Sequence, residues 1–175
     1  METKTVSAEI TTLKISKKQL NSFDEVVKVA DLNYGYYSHL EQNEKCKNFI
    51  FAPIISSKEE EVILYWEGDN QVIPGGSDIY KYFADKGCEV ISNVHSSLLI
   101  ETVKELTEKK LEELGVPLYV NIVLPTPEVS LLPGEDGSQC FLEVCRGDGD
   151  RKLSLVDFDG EWHDNYAFLL RKIKI

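Results

Sequence analysis

Residues 87–124 read GCEVISNVHSSLLIETVKELTEKKLEELGVPLYVNIVL. Cys88, Val90 and Ile91 form a short apolar run that breaks at Ser92-Asn93-Val94-His95-Ser96-Ser97. Leu99, Ile100, Val103, Leu106, Leu111 and Leu114 then form an apolar stripe at helical spacing, with Glu and Lys on the other face, as expected of one long helix with a buried side. Gly115 can take the left-handed conformation that ends helices, Pro117 blocks continuation, and residues 116–124 are apolar enough for a buried strand. The outline is strand, helix, strand. Such a unit ordinarily joins parallel strands by a right-handed crossover, and its strand-to-helix turn lies where sheets of this kind bind ligands.

Working towards the N-terminus, Ser77 is placed to cap a short helix with Ile79, Phe83 and Ala84 inward, and Gly87 is placed to end it. Two β-rich runs at 49–55 and 61–66 suggest a hairpin, with Pro53 confining the first to an edge or a bulge because proline cannot donate to the ladder. Residues 33–48 have no clean period and read as a loop or a broken helix. Phe23, Val26, Val27 and Ala30 keep helical spacing after two competing capping boxes, Ser16 with Gln19 and Ser22 with Glu25. Residues 6–15 alternate as a half-buried strand, with an irregularity near Thr11-Thr12.

Towards the C-terminus, the runs 140–145, 152–158 and 162–175 are separated by Arg146-Gly147-Asp148-Gly149-Asp150 and by Asp159-Gly160, a dipeptide that favours tight hairpins. The expectation is a single α+β domain over residues 1–175. It has one mixed, largely antiparallel sheet, one or two βαβ crossovers and a C-terminal three-stranded meander.

The net charge of −11 is concentrated in the middle of the chain. Residues 51–100 carry eight acids against three bases, and residues 101–150 eleven against four. A field of that sign repels nucleic-acid phosphates and favours basic partners. No apolar run reaches the roughly 20 residues a membrane-spanning helix needs. The four cysteines lack the paired spacing of a zinc or redox site and read as reduced thiols, so a cytoplasmic protein without a cofactor is expected.

Four groups of residues could carry chemistry. His95, Ser96 and Ser97, at the start of the long helix, could hold a phosphate or carboxylate against free backbone amides, with His95 as acid or base, although no glycine-rich phosphate loop accompanies them. Asp157, Asp159, Glu161 and His163 alternate along an extended segment and would suit a divalent metal if the turn lets them converge, but they lack the spacing of a calcium loop. Tyr34, Tyr36, Tyr37 and His39, with Tyr65 and Trp66, could form an aromatic interface. Arg146-Gly147-Asp148 matches a receptor-binding tripeptide, but turn chemistry already explains it. With no catalytic signature, the charge pattern points to an acidic interaction protein, of the inhibitor or immunity type, that docks on a basic partner. The alternative is a small enzyme or binding domain for an anionic metabolite at His95–Ser97.

Overall fold

The computed structural model describes residues 6–13, 19–30, 38–53, 60–92, 96–147 and 150–173, and the structural statements below concern these. The elements run β1 (Val6–Leu13), α1 (Phe23–Ala30), α2 (Ser38–Gln42), α3 (Glu44–Ile50), β2 (Glu60–Trp66), α4 (Asp78–Asp85), β3 (Cys88–Glu89), α5 (Ser96–Glu105), α6 (Glu108–Leu114), β4 (Asn121–Leu124), β5 (Leu132–Pro133), β6 (Gln139–Gly147), β7 (Asp150–Asp157) and β8 (Tyr166–Lys172). The sheet order is β1-β2-β8-β4-β6-β5, with β7 on the other side of the β6 pairing and the two-residue β3 joined to the end of β8. Every pairing is antiparallel except β4 with β8. The fold is α+β, with a mixed, mostly antiparallel sheet.

Near-continuous apolar runs in the strands explain why both faces are covered, since a strand with no polar alternation must bury both sides. Leu64, Trp66, Ile122, Leu124, Leu142, Val144, Ala167 and Leu169 join one core with residues of α1, α2, α3, α5 and α6. Ile63, Tyr65, Val123, Phe141, Phe168 and Leu170 point the other way and pack with Ile79 and Phe83 of α4 and with Trp162. The sheet is therefore the middle layer of three.

Residues 87–124 fold differently from the single helix and parallel crossover expected. Thr107 leaves the helical conformation and its side chain accepts from the Lys110 amide, so the stripe is split into α5 and α6. Gly115 ends α6 at φ 75° as expected. β3 runs antiparallel to β8 while β4 runs parallel to it, so the two strands flanking these helices have opposite directions. The one parallel pair, β4 and β8, is instead joined through β5, β6 and β7.

β6 and β7 form the expected hairpin, but β8 does not complete a meander with them. Ala167, Phe168, Leu169 and Leu170 are all buried, which requires a central strand, and β8 takes that place between β2 and β4. Asp159-Gly160 folds back on the loop before α4: Gly76 N–H donates to Phe158 O at 2.8 Å, and Ile73 and Trp162 exchange two backbone bonds at 3.0 and 2.9 Å.

α3 takes residues 49 and 50 of the run read as the first strand of a hairpin, because the Asn43 side chain starts a helix by accepting from the amides of Lys45 and Cys46, and residues 51–53 are not in a strand. Residues 54–59 lie outside the described set. Of the two capping boxes, Ser22 with Glu25 starts α1: Glu25 N–H donates to Ser22 Oγ and Asn21 N–H to Glu25 Oε2; Ser16 lies outside the described residues. Ser77 makes no capping bond and donates instead to Glu128 Oε1 at 2.6 Å. The β1 irregularity falls between Ser7 and Ile10 in its pairing with β2. Among the described residues, no helix is long and apolar enough to cross a membrane.

Candidate functional site

Three loops meet at the end of the sheet where β2 finishes and β4 and β8 begin. The first, residues 67–72, is held from within. Tyr65 Oη donates to Glu67 Oε1 at 2.5 Å, Tyr82 Oη donates to the same oxygen, and Glu67 N–H donates to Gln71 Oε1 at 2.8 Å. Burial, followed by these bonds to Glu67, pushes the Tyr82 hydroxyl up to about 12 and the Tyr65 hydroxyl higher still, so both remain donors. Buried Gln71 ties this loop to the second, 161–165, by donating to the carbonyls of His163 and Tyr166 at 2.7 and 2.8 Å. Trp66 Nε1–H adds a bond to Asp164 O at 2.8 Å. The third loop, 117–120, is pinned where Asn121 N–H donates to Asn165 O at 2.8 Å.

This fixed framework leaves apolar groups in solvent. Val72, Leu118 and Tyr119 are 54%, 37% and 55% exposed, three of the six large apolar side chains left exposed among the described residues. The Tyr119 hydroxyl is hydrogen-bonded to Asp164, and its pKa is raised by desolvation and then by the charges of Asp164 and Asp69. Both charged groups acting on it are carboxylates. Tyr119 thus stands exposed beside two acids, one from each neighbouring loop.

A cavity of about 500 Å³ opens at the other end of β6, lined by His39, Leu40, Asp136, Cys140, Leu155 and Asp157 among others. His39 Nε2 lies 2.8 Å from the Pro133 carbonyl oxygen, which can only accept, so that nitrogen carries the proton. Burial raises the Cys140 thiol despite a hydrogen bond with Ser138, and burial with the neighbouring Cys140 pushes Cys46 up to about 11. Neither is a thiolate near neutral pH, so the cavity holds no activated sulfur nucleophile.

A third feature lies inside the sheet. Glu143 of β6 faces the α4 layer, 8% exposed, with Oε2 buried and without a hydrogen-bond partner among the described residues. Burial alone pushes its carboxyl up to about 7.

The residues singled out from sequence are distributed as follows. His95 lies outside the described residues, as do Tyr34, Tyr36 and Tyr37. Ser96 and Ser97 begin α5 but are 0% and 2% exposed, and Ser96 Oγ has no partner among the described residues, so their hydroxyls are closed off from solvent. Trp66 is 5% exposed, on the five-helix side of the sheet, and its ring offers no surface to a partner. Asp157 borders the cavity and accepts from Asp159 N–H, while Glu161 and His163 approach each other at 3.8 Å in solvent. Among the described residues, no group of three or more His, Cys, Asp or Glu side chains could hold a metal ion.

Sequence reasoning missed Val72, Leu118 and Tyr119. Pro117 before Leu118-Tyr119 marked a turn, but the apolar residues after it were absorbed into the strand that follows. Comparison with protein-family models, curated proteins and solved structures finds no match for this chain.

Proposed function

We propose that the protein is a non-enzymatic interaction module that binds a basic protein partner through the three-loop surface, acting in the reducing environment of the cytoplasm. The observation that carries this reading is Tyr119, exposed on the 117–120 loop beside the carboxylates of Asp69 and Asp164. Tyrosine brings a large contact area with few torsions to freeze, which is why it concentrates in binding hot spots. Acidic neighbours steer a cationic partner towards it and penalise partners of the wrong sign. The mid-chain acidity supports the same polarity and disfavours direct nucleic-acid binding. Four free cysteines, three of them buried, suit a compartment that keeps thiols reduced.

The anionic-metabolite reading receives less support, since the two serines that would hold the anion are buried. The test is affinity capture from extracts of cells that make the protein, with the original chain and an Asp69→Lys/Asp164→Lys variant, at low salt and near 1 M, where the screening length is about 3 Å. The reading expects a basic protein retained by the original chain at low salt, and lost both with the variant and at high salt. Identical retention by both proteins would overturn it.

A further inference from the structure

We propose that Glu143 is a proton-controlled latch: neutral, it lets the edge strand β7 lie closed on β6, and ionised, it opens that edge so that its carboxylate reaches water. Glu143 pairs with Ser154 of β7 on one side and Val123 of β4 on the other, and Val123 pairs with Phe168 of β8. Alternation puts all four side chains in one row on the α4 side of the sheet. Two residues along, the pairs Lys152–Cys145 and Asn121–Tyr166 share the same face. A carboxylate buried without a cation or a full set of donors is costly, whereas the neutral acid is tolerated.

The titratable neighbours do not relieve that cost. Tyr166 and Cys145 are themselves raised, by burial first and then by the charge of Glu143. Lys152 lowers the neighbouring Cys145 thiol, while burial is what raises the Glu143 carboxyl among the described residues. From the covering layer comes Trp162, fully buried, with its ring 4.9 Å from that of Tyr166 and its indole N–H without a hydrogen-bond acceptor among the described residues. Water therefore has to enter from the side.

The sheet leaves one practical route. Val123 is 0% exposed and central, so the β4 side is closed. On the other side, β7 pairs only with β6 among the described residues, and its Lys152, Ser154 and Val156 are half-buried. As an edge strand, β7 can leave without opening the interior strands, although it gives up eight paired positions along β6 and the Arg151 bond to the Val103 carbonyl.

The test combines a side-chain carboxyl NMR titration of Glu143 in the original protein with amide hydrogen exchange on that protein and on Glu143→Gln. After correction for intrinsic exchange, the protection of β7 amides bonded to β6 should fall roughly thirtyfold between about pH 5.5 and 8.5. That factor follows from a carboxyl titrating near 7 when closed and 4.5 when open. Protection in β4 and β8 should hold, and Glu143→Gln should lose the pH dependence in β7. Equal pH dependence in both proteins, a uniform fall across all strands, or a Glu143 carboxyl titrating near its ordinary value would each overturn the proposal. If the variant does not fold, the titration and the strand-by-strand exchange of the original protein decide.

Discussion

Replacing Gly75 by alanine should be among the most damaging single-methyl changes available in this protein. A Cβ at Gly75 would lie 2.1 Å from the Gly160 carbonyl oxygen, 2.5 Å from that of Asp159 and 2.6 Å from the Gly160 carbonyl carbon. All three are backbone atoms, so no side-chain rotation relieves the clash. The loop before α4 would have to separate from residues 158–162, giving up the Gly76–Phe158 bond and the two Ile73–Trp162 bonds. Three net backbone bonds at about 1 kcal/mol each, added to an overpacking strain of about 1–3 kcal/mol, give about 4–6 kcal/mol. Loosening fully buried Trp162 would add to this. Against a typical domain stability of about 5–15 kcal/mol, that is enough to leave a substantial unfolded fraction. Gly87→Ala is the control, with φ +77° but nothing within 4 Å of its Cβ, so it should cost only the left-handed strain of about 1–2 kcal/mol. Urea unfolding followed by tryptophan fluorescence measures both. A Gly75→Ala variant within about 1 kcal/mol of the original protein would refute the close packing of these two loops and the register that follows from it.

Three further outcomes are expected. The folded Glu143 carboxyl is raised from 4.5 to about 7, so between those values the folded state holds more proton than the unfolded one and stability falls as pH rises. Glu143→Gln should therefore gain up to about 3 kcal/mol on the original protein from about pH 4.5 to above 7, measured by urea unfolding at several pH values; a constant difference would contradict this. Asn43→Ala and Thr107→Ala each remove a side-chain cap, from α3 and α6, and should each cost about 1 kcal/mol in the same assay, with no loss if the caps do not form. Half-buried Cys145 should be the first thiol modified by an aromatic disulfide reagent at neutral pH, with buried Cys46, Cys88 and Cys140 reacting only as the protein unfolds; early reaction of Cys46 would count against the core around it.

Local signals in the sequence translated well into structure where one residue decides the geometry. Gly115 and Gly87 both adopt positive φ, and Ser22 caps α1 by accepting from the Glu25 amide, with Glu25 answering to Asn21 N–H one residue earlier than a capping box requires. Signals that depend on tertiary competition translated less well. Residues 162–175 read as the last strand of a meander, and the need to bury both faces of Ala167–Leu170 instead put that run at the centre of the sheet. Phe49, Ile50 and Phe51 favour a strand by composition, but the Asn43 cap upstream starts a helix that runs to Ile50. The candidate surface was the least legible part. Val72 and the pair Leu118-Tyr119 come from two loops that Gln71, Trp66 and Asn121 tie to a third, and no periodicity in the sequence marks loops joined only through such bonds. Glu143 was equally hidden, being one acid among many until its neighbours in the sheet were placed.

The central claim is that a basic partner docks on the three-loop surface, and photo-cross-linking from position 119 tests it most directly. A benzophenone side chain replaces Tyr119 in one protein and, as a control, Lys81 on α4, whose side chain is 81% exposed, in another. The account predicts an adduct with a basic protein from position 119 that weakens with added salt and is absent from position 81. Equal adducts from both positions, or none from position 119 under conditions where the partner is retained, would contradict it.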